Sequence, residues 1–331
     1  MRRLRIAAVL TGLGALVTCT PARALLPPEP VHEETVGAER SAAALAVLTA
    51  AAAAAQARAW TGTEEVVSMM SGSPVRSMVT VDHGPGHHSA SDSLDARLFS
   101  LLASHYDLQL GAVGICDGHR ARVVEARRTG DGTLAGRFWV DTRSGLLLRR
   151  EVLDPTGTLL RQSDLVAMRY DPGTATQTTT LSATSPGSER LDEAELAQFE
   201  QQGWPVVRAL PGNLELYDAR WLTDGVLQLA YSDGLSTLSL FVQRGEMPAS
   251  RPGVVRHVGG GTVWQSPGEP ERVVWAANGL TWTVVADIAP AMMDDVLAAL
   301  PHTRSHVAQD GMAPRVWRGM SRVGAWLNPF H

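Results

Sequence analysis

Residues 134–153 read LAGRFWVDTRSGLLLRREVL. In the first half Leu134, Gly136, Phe138 and Val140 share one face of a strand, and Ala135, Arg137, Trp139 and Asp141 share the other, because strand side chains alternate. The first face is wholly apolar, and the second carries charge and a tryptophan. Arg143-Ser144-Gly145 then has turn chemistry and leads into a second strand through Leu153. Two flanking segments have the same character, Arg120 to Ala126 before it and Thr158 to Tyr170 after it. They are joined through Gly130-Asp131-Gly132 and Asp154-Pro155-Thr156-Gly157. Links this short force neighbouring strands to run antiparallel, since a parallel pair needs a crossover of a dozen or more residues. The stretch therefore predicts an antiparallel meander with a greasy concave side, and excludes a nucleotide-binding α/β fold.

Upstream, Ala38 to Trp60 is alanine-rich with Leu45 and Leu48, and alanine has the best helix propensity. A membrane span is the competing reading, since no charge lies between Arg40 and Arg58. Alanine gains little from lipid, so a helix laid across a sheet is the expectation. Two β-prone runs, 65–70 and 77–81, are separated by Gly72-Ser73-Pro74. Residues 92–108 carry helical spacing at Leu94, Leu98, Leu101 and Leu102.

Downstream, residues 171–190 are Thr, Ser, Gly and Pro with almost nothing to bury, so they are read as a linker. A helical patch over 191–203 opens a second region. Strands are expected at 214–222, 226–231, 236–243, 254–258, 272–277 and 280–287, with Asp233-Gly234 and Asn278-Gly279 as hairpin turns. Pro290 suits the first turn of a helix running to about Leu300, with Met292, Met293, Val296, Leu297 and Leu300 as its buried face. The whole reads as α+β. From 303 on, the expectation is a basic amphipathic tail in which Val316, Met320, Val323 and Leu327 form one face. Such a tail, over 312–327, can rest on an anionic membrane surface, dock on a partner, or pack back on its own domain.

The 331 residues carry 29 Lys+Arg against 34 Asp+Glu, a net charge of −5, which excludes broad electrostatic capture of nucleic acid. Arg2, Arg3 and Arg5 precede an apolar run from Ile6 to Val17, and Ala22-Arg23-Ala24 offers a cleavage site. Residues 1–24 thus read as a secretory signal, because the run is too short for a bilayer crossing of roughly 20 residues. Cys19, in Leu16-Val17-Thr18-Cys19, only weakly resembles a lipidation site. Cys19 and Cys116 are the only 2 cysteines, so neither a disulfide framework nor a cysteine zinc site is expected. The cluster His83, His87 and His88 surrounds a Gly-Pro-Gly turn and reads as a solvated loop rather than a metal site. Gly259-Gly260-Gly261 lies between strands and lacks the helix N-terminus that would hold phosphate. No nucleophile elbow, zinc motif or phosphate loop is present, so no enzyme is expected.

The phrase Phe138-Trp139-Val140-Asp141 followed by Gly145-Leu146-Leu147-Leu148-Arg149 resembles the periplasmic RseB/MucB family. Tyr231 to Ser236 with Leu238 to Val242 adds to the resemblance, as do Trp282 to Asp287 before Pro290 and the closing 323–330. It implies an N-terminal antiparallel half-barrel of the LolA/LolB kind with helices (38–170), and a smaller C-terminal sheet domain with a helix (191–302) that binds a partner. The function implied is that of an extracytoplasmic, cell-envelope regulator. The C-terminal domain would grip the outer segment of a transmembrane anti-sigma factor and limit its proteolysis. Acyl chains of lipid or lipoprotein would fill the half-barrel and release the partner. No cofactor and no metal is implied. Phe138, Val140 and Leu146 are then the candidates for lining the hollow, and Phe241, Trp275 and Trp282 for partner contact, with ordinary core packing as the alternative for each. The competing function is a lipid or lipoprotein carrier of the LolA type, with the second domain incidental.

Overall fold

A computed structural model describes residues 31–57, 60–69, 74–83, 91–170, 188–222, 225–245, 247, 253–266 and 271–302. The expected signal segment, Cys19, the His87 loop, most of the linker and the basic tail lie outside the described residues.

The first unit runs α1 (Val31–Ala57), β1 (Trp60–Ser68), β2 (Val75–His83), α2 (Ser91–His105), β3 (Tyr106–Leu110), β4 (Gly114–Cys116), β5 (His119–Arg128), β6 (Leu134–Asp141), β7 (Leu147–Leu153) and β8 (Leu159–Tyr170). Its strands form one sheet in the order β2-β1-β8-β7-β6-β5-β3, with β4 also paired to β5. The pairs β5–β6, β6–β7 and β7–β8 are antiparallel, as the short turns require. Helix α1 lies across this sheet through Ala44, Leu48 and Ala51, which recur at helical spacing and are buried. It is long and apolar enough to cross a membrane over Gly37–Ala55, but here that face packs on strands.

Two boundaries differ from expectation: Trp60, read as the end of the first helix, instead opens β1, because its side chain is buried on the inner face of that strand. The helix read over 92–108 stops at His105, and Tyr106–Leu110 pairs with β5 as an edge strand. Within those five residues only Leu108 is buried, which suits an alternating strand better than another helical turn.

The outer face of the sheet is charged. Glu125, Arg137 and Glu151 stand side by side on β5, β6 and β7. Arg137 lies 3.4 Å from Glu125 and 3.6 Å from Glu151. The Arg149 guanidinium sits 5.7 Å from the centre of the Trp139 ring. The β6–β7 turn is tied by Asp141, which accepts from the Ser144 hydroxyl at 2.5 Å and from the Ser144 N–H at 3.0 Å. Burial pushes this carboxyl up, but the Ser144 bonds and the Arg143 N–H prevail and hold it below its ordinary value. Its stabilising contribution is therefore present above the ordinary value of 3.8 and is lost as pH falls below it. Ser144→Ala is expected to cost about 1–3 kcal/mol at pH 7, read from the urea midpoint. The deficit should shrink below pH 3.8, and a deficit independent of pH would refute this account.

The second unit comprises β9 (Ser188–Arg190), α3 (Glu193–Gln201), β10 (Ala209–Leu210), β11 (Leu214–Leu222), β12 (Val226–Ser232), β13 (Thr237–Arg244), β14 (Val254–Val258), β15 (Gly261–Ser266), β16 (Glu271–Ala277), β17 (Leu280–Asp287) and α4 (Pro290–Ala299). The sheet order is β10-β11-β12-β13-β17-β16-β15-β14, with β9 on β11. Strand β9 takes the last three residues of the segment read as a linker and pairs with Arg220, Trp221 and Leu222. Strand β15 was not expected from the sequence. It forms because Gly259-Gly260 makes a hairpin turn, so that Val258 pairs with Gly261. Asn278 and Gly279 both adopt positive φ between β16 and β17, as expected of a two-residue hairpin. Helix α3 starts on a capping box between Asp192 and Glu195, and α4 has Pro290 in its first turn. Met293, Val296 and Leu297 of α4 join the core of this sheet. The architecture is α+β, with two antiparallel sheets and four helices among the described residues.

Candidate functional site: a hollow closed by the second unit

The concave face of the first sheet is built by alternation. Along β1 the inward side chains are Trp60, Glu64, Val66 and Ser68, with Gly62 between them. From β6 come Phe138 and Val140, and from β8 Ser163 and Leu165, all buried. Under α1 the face is apolar. Trp60, Leu146 and Leu165 cluster there with Ala54 and Ala55 of the helix. The space left among them and Leu48 is about 20 Å³, room for about one water.

Beyond α1 the inner face changes character and its cover comes from the second unit. The four-residue turn between Ser232 and Thr237, joining β12 to β13, projects onto the first sheet. Its Leu235 is 1% exposed and belongs to the same cluster as Phe99, Leu102, Val124, Ala126 and Phe138. Burying such a side chain contributes about 1.5–3 kcal/mol. Room for it exists because Gly136 has no side chain, since a Cβ there would lie 2.9 Å from Leu235 Cδ2.

The turn enters already tied. Asp233 Oδ1 accepts from the N–H groups of Leu235 at 2.8 Å and Ser236 at 2.6 Å. Ser232 Oγ donates to the Ser236 carbonyl at 2.7 Å and accepts from the Gly234 N–H at 2.9 Å. Around it lies a buried polar clasp. Tyr106 Oη donates to Asp233 Oδ2 at 2.7 Å. Burial first, and then the Asp233 carboxylate, push the Tyr106 hydroxyl well above its ordinary value, so it remains a donor. Arg150, buried on β7, donates to the Leu235 carbonyl. Desolvation pulls its guanidinium down to about 10, which leaves it charged at neutral pH. Further out, Arg161 pairs with Asp287 at 2.5 Å, Arg97 donates to the Tyr217 carbonyl at 2.7 Å, and His105 Nε2 lies 3.1 Å from Glu215. A second cavity of about 30 Å³ lies at this junction, between Ser68, Val152 and Arg161 on one side and Ser236, Asp287 and Pro290 on the other.

Of the residues singled out in the sequence, Phe138, Val140 and Leu146 all come to this concave face. Trp275 and Trp282 require a correction. They are 0% and 1% exposed, and their rings stack at 5.8 Å between centroids with 14° between planes. Trp275 Nε1 donates to the Pro301 carbonyl at 2.8 Å and Trp282 Nε1 to the Ala277 carbonyl at 3.2 Å. Both are core residues with nothing to offer a partner in this conformation, because alternation turned them inward beneath α4. Phe241 lies on the opposite face of that sheet, buried with Val226 and Val285. The residues that sequence reasoning missed are Tyr106, Arg150, Asp233 and Leu235. The one signal available was a leucine set in an otherwise polar turn. Among the described residues, no group of His, Cys, Asp and Glu is arranged to hold a metal ion.

Fold and site together define a two-unit α+β protein in which one sheet domain closes the hollow of the other. Residues 54–191 match the family described as the MucB/RseB N-terminal domain. This match bears out the resemblance noted in the sequence. Similar solved structures include MucB in complex with MucA(peri), with 17% identity, covering 79% of this chain and 100% of that one at a TM-score of 0.43. MucB alone shows 19% identity over 78% of this chain and 97% of that one, with a TM-score of 0.44. The Pseudomonas aeruginosa MucA/MucB complex shows 17% identity over 80% and 100%, with a TM-score of 0.42. No curated protein sequence matches this chain.

Proposed function

We propose that this protein is an extracytoplasmic regulatory binding protein. It holds the outer segment of a transmembrane anti-sigma factor, limits proteolysis of that segment, and lets it go when acyl chains reach the first domain. The observation that carries the reading is Leu235: a side chain of the second domain completes the core of a MucB/RseB N-terminal domain. Filling of one domain and the posture of the other are thereby coupled. A relative, MucB, has been solved holding MucA(peri), which supports a protein partner. Residues 1–24 serve as the export signal in this reading, and the activity is holding rather than catalysis.

With Trp275 and Trp282 committed to the core, the edge strand β14 is the better place for a partner. Among the described residues it pairs only with β15, and its Val254 and Val255 are 64% and 51% exposed. An extended segment can add to such an edge through main-chain hydrogen bonds, with exposed valines supplying apolar contact. The test is to incubate the immobilised protein with detergent-solubilised membranes from its own cells. Recovery of a single-pass membrane protein is expected, and Val255→Lys should weaken its binding tenfold or more. Recovery of lipid with no such protein would overturn the reading in favour of the LolA-type carrier.

A further inference from the structure

We infer that the tip of the first sheet farthest from the second unit is a membrane-docking surface. An apolar bulge there enters the headgroup region of an anionic bilayer, and three arginines meet its phosphates. The inference goes beyond the partner reading above and does not depend on it.

The bulge is Leu110-Gly111-Ala112-Val113-Gly114-Ile115, a run without one polar side chain. Strands β3 and β4 both pair with β5, Leu110 opposite Val124 and Gly114 opposite Ala121. Residues 111–113 on the edge thus span only Arg122 and Val123 of β5, and the extra residue pushes the connection outward, as in a β-bulge. The Gly111 N–H fastens it by donating to the Val123 carbonyl at 2.9 Å. Side chains this apolar are ordinarily buried, yet Leu110, Val113 and Ile115 are 44%, 51% and 72% exposed. Such a cluster marks a surface that meets something apolar.

The surrounding charge identifies what it meets. Ile115 stands opposite Arg120 in the β4–β5 pair, and Arg122 follows on the same face of β5. Arg143 lies in the adjoining turn, whose Thr142 N–H and Oγ1 both donate to the Arg120 carbonyl. All three arginines are exposed, and among the described residues none of their guanidiniums has a carboxylate or other partner. Against them stand Asp117, which is exposed, and Asp141, which Ser144 already occupies. The tip is therefore basic on a chain whose net charge is −5, so an anionic surface attracts it in one orientation. An apolar insertion joined to arginines that pair with phosphate is the two-part arrangement that holds a protein on a bilayer. The second unit leaves this tip free, since Leu235 packs at Gly136, about 17 Å back along β6 from Asp141.

The test is co-sedimentation of the chain from Leu25 onward with vesicles of mixed phosphatidylglycerol and phosphatidylcholine, and with phosphatidylcholine alone. Binding to the mixed vesicles is expected, weakening as salt rises, and at least about tenfold tighter than to the neutral ones. Val113→Asp and Ile115→Asp should each lower affinity about tenfold or more, with Tm unchanged because both side chains are exposed. Arg120→Gln combined with Arg143→Gln should lower it about twenty-fivefold, about fivefold for each charge removed. The same substitutions should have the same effects beside Val316→Asp and Val323→Asp, which break the apolar face expected of the tail. Absence of binding to the mixed vesicles overturns the proposal. So does binding that survives Val113→Asp and Ile115→Asp but is lost with the tail face. Equal binding to the neutral vesicles overturns the role of the arginines.

Discussion

Gly234→Ala is expected to part the two domains while leaving both sheets folded. Gly234 has φ +94, where an L residue is strained, and its missing Cβ would lie 2.3 Å from the Leu102 amide nitrogen and 2.4 Å from the Leu102 Cα. Those are backbone atoms inside α2, so no rotamer change relieves the overlap. The strain of a left-handed residue alone is about 1–2 kcal/mol. The overlap adds to this only when the turn is seated, so the variant can keep its hairpin and lose its dock. Gly157 provides the control, since it has φ +84 and nothing within 4 Å of its missing Cβ. Gly157→Ala should therefore show the conformational penalty without any change in domain arrangement. Small-angle scattering would register the difference as a larger radius of gyration for the Gly234 variant. Identical scattering from both variants would remove the turn as the fastening between domains.

The second large effect is expected from Trp282→Ala. Its ring is enclosed between β16, β17 and α4 and stacked on Trp275. Deleting so large a buried side chain costs about 3–5 kcal/mol, part of it transfer free energy and part the cavity left behind. The loss should appear as a lowered denaturant midpoint for the second sheet, read by near-ultraviolet circular dichroism. Trp275→Ala should behave alike, and the double variant should lose less than the sum, because the two rings share one contact. A loss below about 1 kcal/mol accompanied by weakened partner binding would restore Trp282 to the role of anchor.

Much of the fold was legible before any coordinates. The meander of β5 to β8 follows from turns too short for a crossover, and the concave side from Phe138 and Val140 alternating with Arg137 and Trp139. The β16–β17 hairpin follows from Asn278-Gly279, and the start of α4 from Pro290. Each of these rests on interactions within a few residues of chain. The α2–β3 boundary at His105 was missed because Leu108 suits either a helical face or an alternating strand, and only pairing with β5 decides between them.

The amino-acid sequence by itself determined where strands turn, which faces are apolar, and that two sheet-forming regions flank a polar stretch, since propensity, alternation and turn chemistry are local. Only the tertiary structure decided what lies in the hollow. Tyr106 meets Asp233 across 127 residues and Arg150 meets Leu235 across 85, and no periodicity encodes a contact at that range. The same holds for Trp275 and Trp282. Their apolar bulk was plain, but whether such bulk faces a partner or a core depends on which helix lands on that side of the sheet. A buried arginine is tolerated only when another part of the chain brings its acceptor, so the arginine and its acceptor have meaning together, in three dimensions.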